Sequence, residues 1–422
     1  MTAGGGPAPA EPGRDVLTEP AFARLWTAAT LSGLGSAVTT VAVPVLLVSV
    51  LHATPVELGV VNAVQLLPYL LFGLVVGVLL DRVRRRPALV WASVGRAVVL
   101  AVVPVAWWAG ALSLPLVAAT LFVFGLLSLV GTAAVQAYLP TVVASDRLLP
   151  ANARLDQSAA VAQTGGPAVG GAVVGLLGAP VALLVDAVSY VVDAVLIARI
   201  AVEETVVAPV VRERVRDQIA DGLRWAYRHR SLAPLAWSTH VWFFGNALAL
   251  TVLPLFVLRE LALSSLGYGL LLAGTGVGAL AGAFGAARAG RAWGPGRVIG
   301  LARLGYPLAW ALIALAPAGD GAGTWTALAA GSVLAGVSAG LENANEMAYR
   351  QVVTPARLQG RTNATLRSAN RSAAVAGALV GGVVATAWGN RGSLWLAVGV
   401  FLAAAVVVLA SPARAAAYDD AA

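Results

Sequence analysis

Four carboxylates interrupt apolar stretches of this sequence: Asp186, Asp193, Glu342 and Glu346. A charge at bilayer depth costs at least about 2.5 kcal/mol, so an acid in such a stretch is a functional candidate by default. Asp186 and Asp193 are two helical turns apart, on one face, separated by ~10 Å along the axis. Glu342 and Glu346 are one turn apart. Two neighbouring carboxylates repel and both lose hydration, so one of them is expected to hold a proton near neutral pH. The chemistry this permits is reversible proton binding inside a membrane. Asp193, the deeper of its pair, is the first candidate; Asp186 and Glu342 follow. Glu346 lies nearer the interface and is expected to pair with Arg350 or Arg371.

The rest of the chain must hold these acids in lipid. Of 422 residues, 59% are hydrophobic and only 11% charged, with mean hydropathy +0.82, against roughly 25% charged in soluble domains. Apolar runs of around 20 residues recur, each long enough for a helix to cross a ~30 Å hydrocarbon core. A barrel would show ~10-residue alternating strands instead. There are no cysteines, which excludes thiol chemistry and cysteine-bound metal, and three scattered histidines, which make no metal site. No P-loop for ATP occurs. Every cation is arginine, and the Ala/Gly/Val/Leu bias suggests a GC-rich bacterial genome.

A shift of 211 residues, half the chain, aligns the polar landmarks. Ala137-Tyr138 falls on Ala348-Tyr349, Asn152-Ala153 on Asn363-Ala364, and Gly166, Gly170 and Gly171 on Gly377, Gly381 and Gly382. Two related membrane halves are typical of secondary transporters, which bind substrate between them. Twelve spans are expected, about 24–50, 56–80, 88–110, 114–138, 155–178 and 181–200, then 233–258, 265–288, 297–317, 324–347, 366–388 and 393–411. The breaks are placed at Pro55, Arg84–Pro87, Pro115, Pro140 and Gly178–Pro180. The fold class is thus an all-α membrane protein of two six-helix bundles. Its domains are a disordered tail (1–21), an N-terminal bundle (22–200), a linker (201–232), a C-terminal bundle (233–411) and a second tail (412–422). With the N-terminus inside, only Arg259 and Arg391 of the 28 arginines fall outside, the asymmetry of a protein with both termini cytosolic. No cleavable signal peptide is apparent. In the linker Val211, Val215, Ile219, Leu223 and Tyr227 recur every four residues, so an amphipathic helix is expected along the inner membrane surface.

Other polar residues are candidates for a cavity. Arg96 and Arg303 occupy similar places in the two halves, ~12 Å and ~9 Å from their cytosolic helix ends. They are suited to neutralise the carboxylates or to bind an anionic substrate; snorkelling to the surface is slightly favoured. Asn62, Gln65, His240 and Asn246 are cavity candidates too, each equally at home in a helix-packing hydrogen bond.

After the second span comes Gly73-x3-Gly77-x-Leu79-x-Asp81-Arg82-x-x-Arg85-Arg86. It resembles the signature of the major facilitator superfamily, lacking the usual glycine at Arg84 and aromatic at Val83. The resemblance implies a cytosolic gate in which Asp81, Arg82, Arg85 and Arg86 form a charge network, with the glycines allowing close helix contact. The second half keeps Gly282, Gly285, Arg288 and Arg291 but no acid, so the latch is expected on one half only. The run Gly166-Pro167-Ala168-Val169-Gly170-Gly171 resembles the antiporter motif of exporters in that superfamily, and Pro167 is expected to kink its helix. Asn152-Ala153, Asp186-Ala-Val-Ser189-Tyr190, Asp221–Arg224 and Gly267–Leu271, read in order, resemble the siderophore-exporter and macrolide-efflux branch. Helix 1 carries no carboxylate, unlike many drug/proton antiporters of the superfamily.

The function expected is export of small amphipathic compounds, drug-, macrolide- or siderophore-like, by proton antiport through a monomer in the bacterial inner membrane, with no cofactor, no metal and no nucleic-acid partner. Import of a nutrient by proton symport is the alternative. A non-transporting sensor would have lost the membrane charges and gained a soluble domain. An enzyme would need a nucleophile–base pair or metal site that no motif supplies.

Overall fold

The computed structural model describes residues 15–80, 83–202, 204 and 215–420; the side chains of 74, 75, 77–79 and 215–219 lie outside that description. Among the described residues every regular element is helical, and eleven helices are long and apolar enough to cross a membrane. They are α1 (Pro20–Val45), α2 (Pro55–Leu80), α3 (Arg85–Trp108), α4 (Leu114–Val142), α5 (Leu148–Leu177), α6 (Ala179–Ala198), α8 (Leu232–Leu255), α9 (Ser265–Trp293), α10 (Pro295–Ala314), α11 (Ala322–Val353) and α12 (Ala356–Leu409). The amphipathic α7 (Val215–Arg228) joins α6 to α8.

The last helix has 54 residues, about 80 Å at 1.5 Å per residue, far beyond one bilayer. It is interrupted at Gly389, whose φ of 75° and ψ of 170° are not helical. Gly178, 211 residues earlier, makes the tight joint between α5 and α6 with φ 78° and ψ 154°. A side chain is strained at positive φ, so glycine is the residue that makes both joints without cost. Residues 356–388 and 390–409 therefore correspond to α5 and α6.

Other joints repeat as well. α1 and α8 both end in a short π-helix, Leu46–Val50 and Phe256–Glu260. Thr54 and Glu57 form a reciprocal cap before α2, at 2.7 and 3.3 Å, and Ser264 caps Gly267 at the matching start of α9. Tyr138 and Tyr349 are both fully buried.

Contacts at the helix ends sort the loops onto two faces. Arg24 at the start of α1 donates to Arg199 O beyond α6, and Arg147 before α5 reaches Glu19. Tyr418 reaches Asn345 near the end of α11, and Gly296 N at the start of α10 donates to Ala416 O. These residues make a terminal face. On the opposite face Arg259 donates to Val48 O, and Arg391 holds Glu260 (2.5 Å) and the carbonyls of Ala314 and Ala316.

The structure corrects several boundaries. α5 begins at Leu148 rather than 155, and the eleventh expected span begins at Ala356 rather than 366, because each carries polar turns (Asn152, Arg154; Arg357, Arg361) beyond its apolar part. Pro140 does not break α4 but sits in its last turn. The tails are partly ordered: Val16 is buried, and Ala413 and Ala416 join a core cluster with Tyr349. α7 docks on protein as well: Asp221 pairs with Arg361 at 2.8 Å and Ala226 is fully buried. Val211 lies outside the described residues.

Candidate functional site: a cavity between the halves

Four helices make the principal contacts between the halves, α2 against the first part of α12 and α5 against α9. Small residues set both crossings. A methyl group on Gly171 would lie 2.5 Å from Ser265 O, and one on Gly382 would lie 3.0 Å from Val56 Cα. Ser265 opens α9 and Val56 opens α2, so the two crossings are equivalent and both lie toward the opposite face. Gly166 and Gly170 instead seat α5 against α1, at Ala37 and Val38. Pro167 is internal to α5, and its carbonyl is approached by Gly269.

A cavity of about 640 Å³ lies between the halves, walled by α1, α2, α3, α4, α6, α8, α9 and α12. Of the cavity candidates, Asn62, Gln65, Arg96 and Asn246 line it. Asn62 also donates to Thr251 of the other half at 3.1 Å. His240 does not line it: its ring is held between Tyr227 and Asn370, 2.6 Å from each. A second cavity, of about 660 Å³, shares Phe243 with the first and is lined by Asp156, Gln163, Glu342, Glu346 and Arg350.

The acids of α6 form a ladder with the hydroxyls of α1. Thr39 donates to Asp186 at 2.5 Å, Ser36 and Tyr190 share a bond of 2.8 Å, and Ser32 donates to Asp193 at 3.3 Å. Ser189 adds a second donor to Asp186 at 3.0 Å, and Ser93 of α3 donates to Asp193. Asp186 is fully buried and Asp193 nearly so. Arg96 bonds Ser93 at 2.9 Å, lies 4.0 Å from Asp193 and covers the Tyr190 ring at 4.1 Å. One guanidinium thus belongs to the cavity wall and to the environment of a buried acid.

The second half holds its acids differently. Arg303 is fully buried, which excludes snorkelling. Its Nη2 lies 2.6 Å from Glu342 and 3.3 Å from Glu346, and its Nη1 donates to Ser238 O at 3.1 Å. Arg350 is 3.8 Å from Glu346, the pairing expected one turn away. Arg371 is not Glu346's partner: it lies over the Tyr69 ring, 5.1 Å from the centroid, and lines the central cavity. Glu342 Oε2 is buried without a hydrogen-bond donor.

Of the gate motif, Asp81 and Arg82 lie outside the described residues, and Gly77 is helical. A methyl group on Gly73 would meet nothing within 4 Å, so the close contact expected there is not made in this conformation. The backbone N–H groups of Arg85 and Arg86 donate to Glu204 of the linker, at 2.5 and 2.7 Å, and the Arg86 side chain reaches Ala198 O.

Sequence reasoning missed the hydroxyls of α1 and the cavity role of Arg371. Serine and threonine in a membrane helix usually bond the preceding turn, as Ser36 and Thr40 also do. The available signal was the spacing of Ser32, Ser36 and Thr39, which matches Asp193, Tyr190 and Asp186 rung by rung.

Comparison with known proteins places this geometry. A relative from Sinorhizobium fredii, described as the uncharacterized MFS-type transporter y4rN, is 28% identical over 375 residues, 88% of this chain and 90% of that one. A single-residue mutant of the nucleoside transporter NupG superposes with a TM-score of 0.75 at 11% identity, covering 92% of this chain and 99% of that one. A bacterial homologue of the iron transporter ferroportin, in its inward-facing state, gives 0.75 at 16% identity over 94% and 99%. These solved structures share the fold. The family model described as transmembrane secretion effector matches residues 15–422, so the chain belongs to that family of major facilitator superfamily transporters and is a membrane transporter rather than an enzyme.

Proposed function

We propose that the protein is a secondary active exporter of small amphipathic organic compounds, driven by proton antiport and alternating access. The observation that carries this reading is the position of Arg96. It lines the cavity between the halves and lies 4.0 Å from the buried Asp193. Protonation of Asp193 would cancel its pull on Arg96 and so change the cavity wall that a substrate meets. A proton shifts the balance of conformations only through different affinities for them, and a carboxylate in a conformation-dependent contact has that property. Asp186 and Glu342 are the further proton-binding candidates.

Twelve crossings follow if α12 is two spans joined at Gly389, each half then supplying six. Arg259 and Arg391 lie on the opposite face, whereas Arg24, Arg86, Arg147 and Arg199 cluster at helix ends of the terminal face, and this arginine asymmetry favours a cytosolic terminal face in a bacterial inner membrane. The cavity then opens to the cytosol, and the two glycine crossings close the outside. The protein would act as a monomer in the bilayer, with the proton gradient as its only energy source. The drug-, macrolide- or siderophore-like character of the cargo rests on the order of the sequence motifs and on a cavity wall that mixes Phe124, Phe243 and Tyr268 with amides.

Uptake into inverted membrane vesicles tests this directly, because they present the cytosolic side to the medium. An exporter concentrates at least one compound of an amphipathic panel inside the vesicles when a proton gradient, acid inside, is imposed, and loses it when the gradient collapses. Uptake only into right-side-out vesicles would reverse the direction and favour symport.

A further inference from the structure

The central cavity carries an unbalanced charge. Arg96 and Arg371 both line it, and no aspartate or glutamate does among the described residues. Asp186 is fully buried behind Thr39, and Asp193 is engaged by Ser93, Ser32 and Arg96. Arg96 therefore already has an acid close by. Arg371 has none. Its only partner among the described residues is the face of Tyr69, at 5.1 Å. A cation facing an apolar chamber without a counter-charge is costly, and a guanidinium offers a planar fork that matches a carboxylate or phosphate with two parallel bonds. The same cavity is lined by Asn62, Gln65 and Asn246, whose amides can donate to further oxygens, and by the rings of Phe243 and Phe124, which can cover an apolar body.

We infer that the cavity binds amphipathic organic anions, with Arg371 as the seat of the carboxylate or similar acidic group. The inference rests on the transporter reading and narrows its substrate class. The seat also fixes a sign. An anion on Arg371 leaves Arg96 with Asp193, so substrate does not displace the acid from its cation. An anion on Arg96 would compete with Asp193, favour its protonation and tie substrate and proton to the same step, as in symport. Antiport and an anionic cargo are compatible through Arg371.

The test uses the purified full-length protein in lipid nanodiscs and three fluorescent probes that share one ring system. Dansylglycine is anionic, dansylamide neutral and dansylcadaverine cationic. A charge-assisted bond contributes about 1.5–3 kcal/mol, so dansylglycine is expected to bind at least about tenfold more tightly than the other two. Arg371→Gln should abolish that preference, and Arg371→Lys should restore part of it, which a fold defect would not. Thermal melting of each variant confirms that it is folded. Equal affinities, or a preference for the cationic probe, would overturn the anion class. Loss of the preference in Arg96→Gln with Arg371→Gln unaffected would overturn the seat. The measurement needs no gradient. Vesicles that fail to concentrate any compound would count against the transport reading while leaving the binding result standing.

Discussion

In the first half Arg96 lies over the Tyr190 ring; in the second, Phe401 takes the place of Tyr190 and stacks on Tyr306 with centroids 5.5 Å apart, while Arg96 falls on Pro307. Asp186 and Asp193 of α6 correspond to Ala397 and Ala404, and Glu342 and Glu346 of α11 correspond to Gly131 and Val135. The helix crossing is conserved between the halves while its charge is not. A methyl group on Gly131 would lie 3.1 Å from Arg96 Nη2, whereas at the equivalent Glu342 a carboxylate receives Arg303 at 2.6 Å. Gly171 and Gly382, by contrast, keep both identity and neighbours across 211 residues. Close backbone approach tolerates no added atom, so a joint built on it is preserved. A buried ion pair needs only a partner, so its members can move to another helix. Of the acid-paired cations, Arg96 of the first half lies on the central cavity, whereas Arg303 of the second is buried between two acids that line the second cavity.

The largest effect should come from breaking the buried triad. Arg303→Leu leaves Glu342 and Glu346 without their principal cation, and removing one partner of a buried pair costs about 3–5 kcal/mol. Melting of the purified protein should fall steeply, and Arg303→Leu combined with Glu342→Leu should recover much of it. Arg96→Gln should cost much less stability, since Ser93 and Ser32 still hold Asp193. Equal destabilisation by the two arginine variants would erase the contrast between the halves.

Next in size is a symmetric pair. Gly171→Leu and Gly382→Leu each force a side chain against backbone, and overpacking costs about 1–3 kcal/mol. Both should oppose closure of the opposite face and slow substrate exchange by roughly tenfold or more. Single-molecule or spin-label distances across that face should lengthen in both. If one variant is silent, the two crossings are not equivalent in the transport cycle.

Pro167 is where the crossings differ, because Ala378 takes its place in the second half. Pro167→Ala restores one backbone hydrogen bond and should slow exchange only a few-fold, about 1 kcal/mol on the barrier. Unchanged exchange would reduce the antiporter motif to packing.

Much of this was legible in the sequence. The 211-residue repeat aligned Gly171 with Gly382, and the expected spans 366–388 and 393–411 left a break that contains Gly389; of the two partners expected for Glu346, Arg350 is the one beside it. Ends of helices were read too short at Leu148 and Ala356, since hydropathy marks where lipid ends, not where a helix does. Arg303 read as a neutraliser of the carboxylates or, slightly favoured, as a snorkelling cation; which acid it meets was not legible, because the pair joins α10 to α11 and no single-helix periodicity encodes it. For the same reason His240 read as a cavity residue, although its ring is turned to Tyr227 and Asn370, while Arg371 read as a partner for Glu346 rather than as cavity wall.

The claim that the first half couples the proton is tested most directly in proteoliposomes, by measuring both gradient-driven accumulation and gradient-free exchange of one transported compound. Asp193→Asn should abolish accumulation and retain exchange, as expected of a site that reads the proton but does not hold the cargo. If Asp193→Asn still concentrates the compound in proportion to the pH gradient, Asp193 is not the coupling site; if Asp186→Asn and Glu342→Gln do so as well, proton antiport through these acids is wrong.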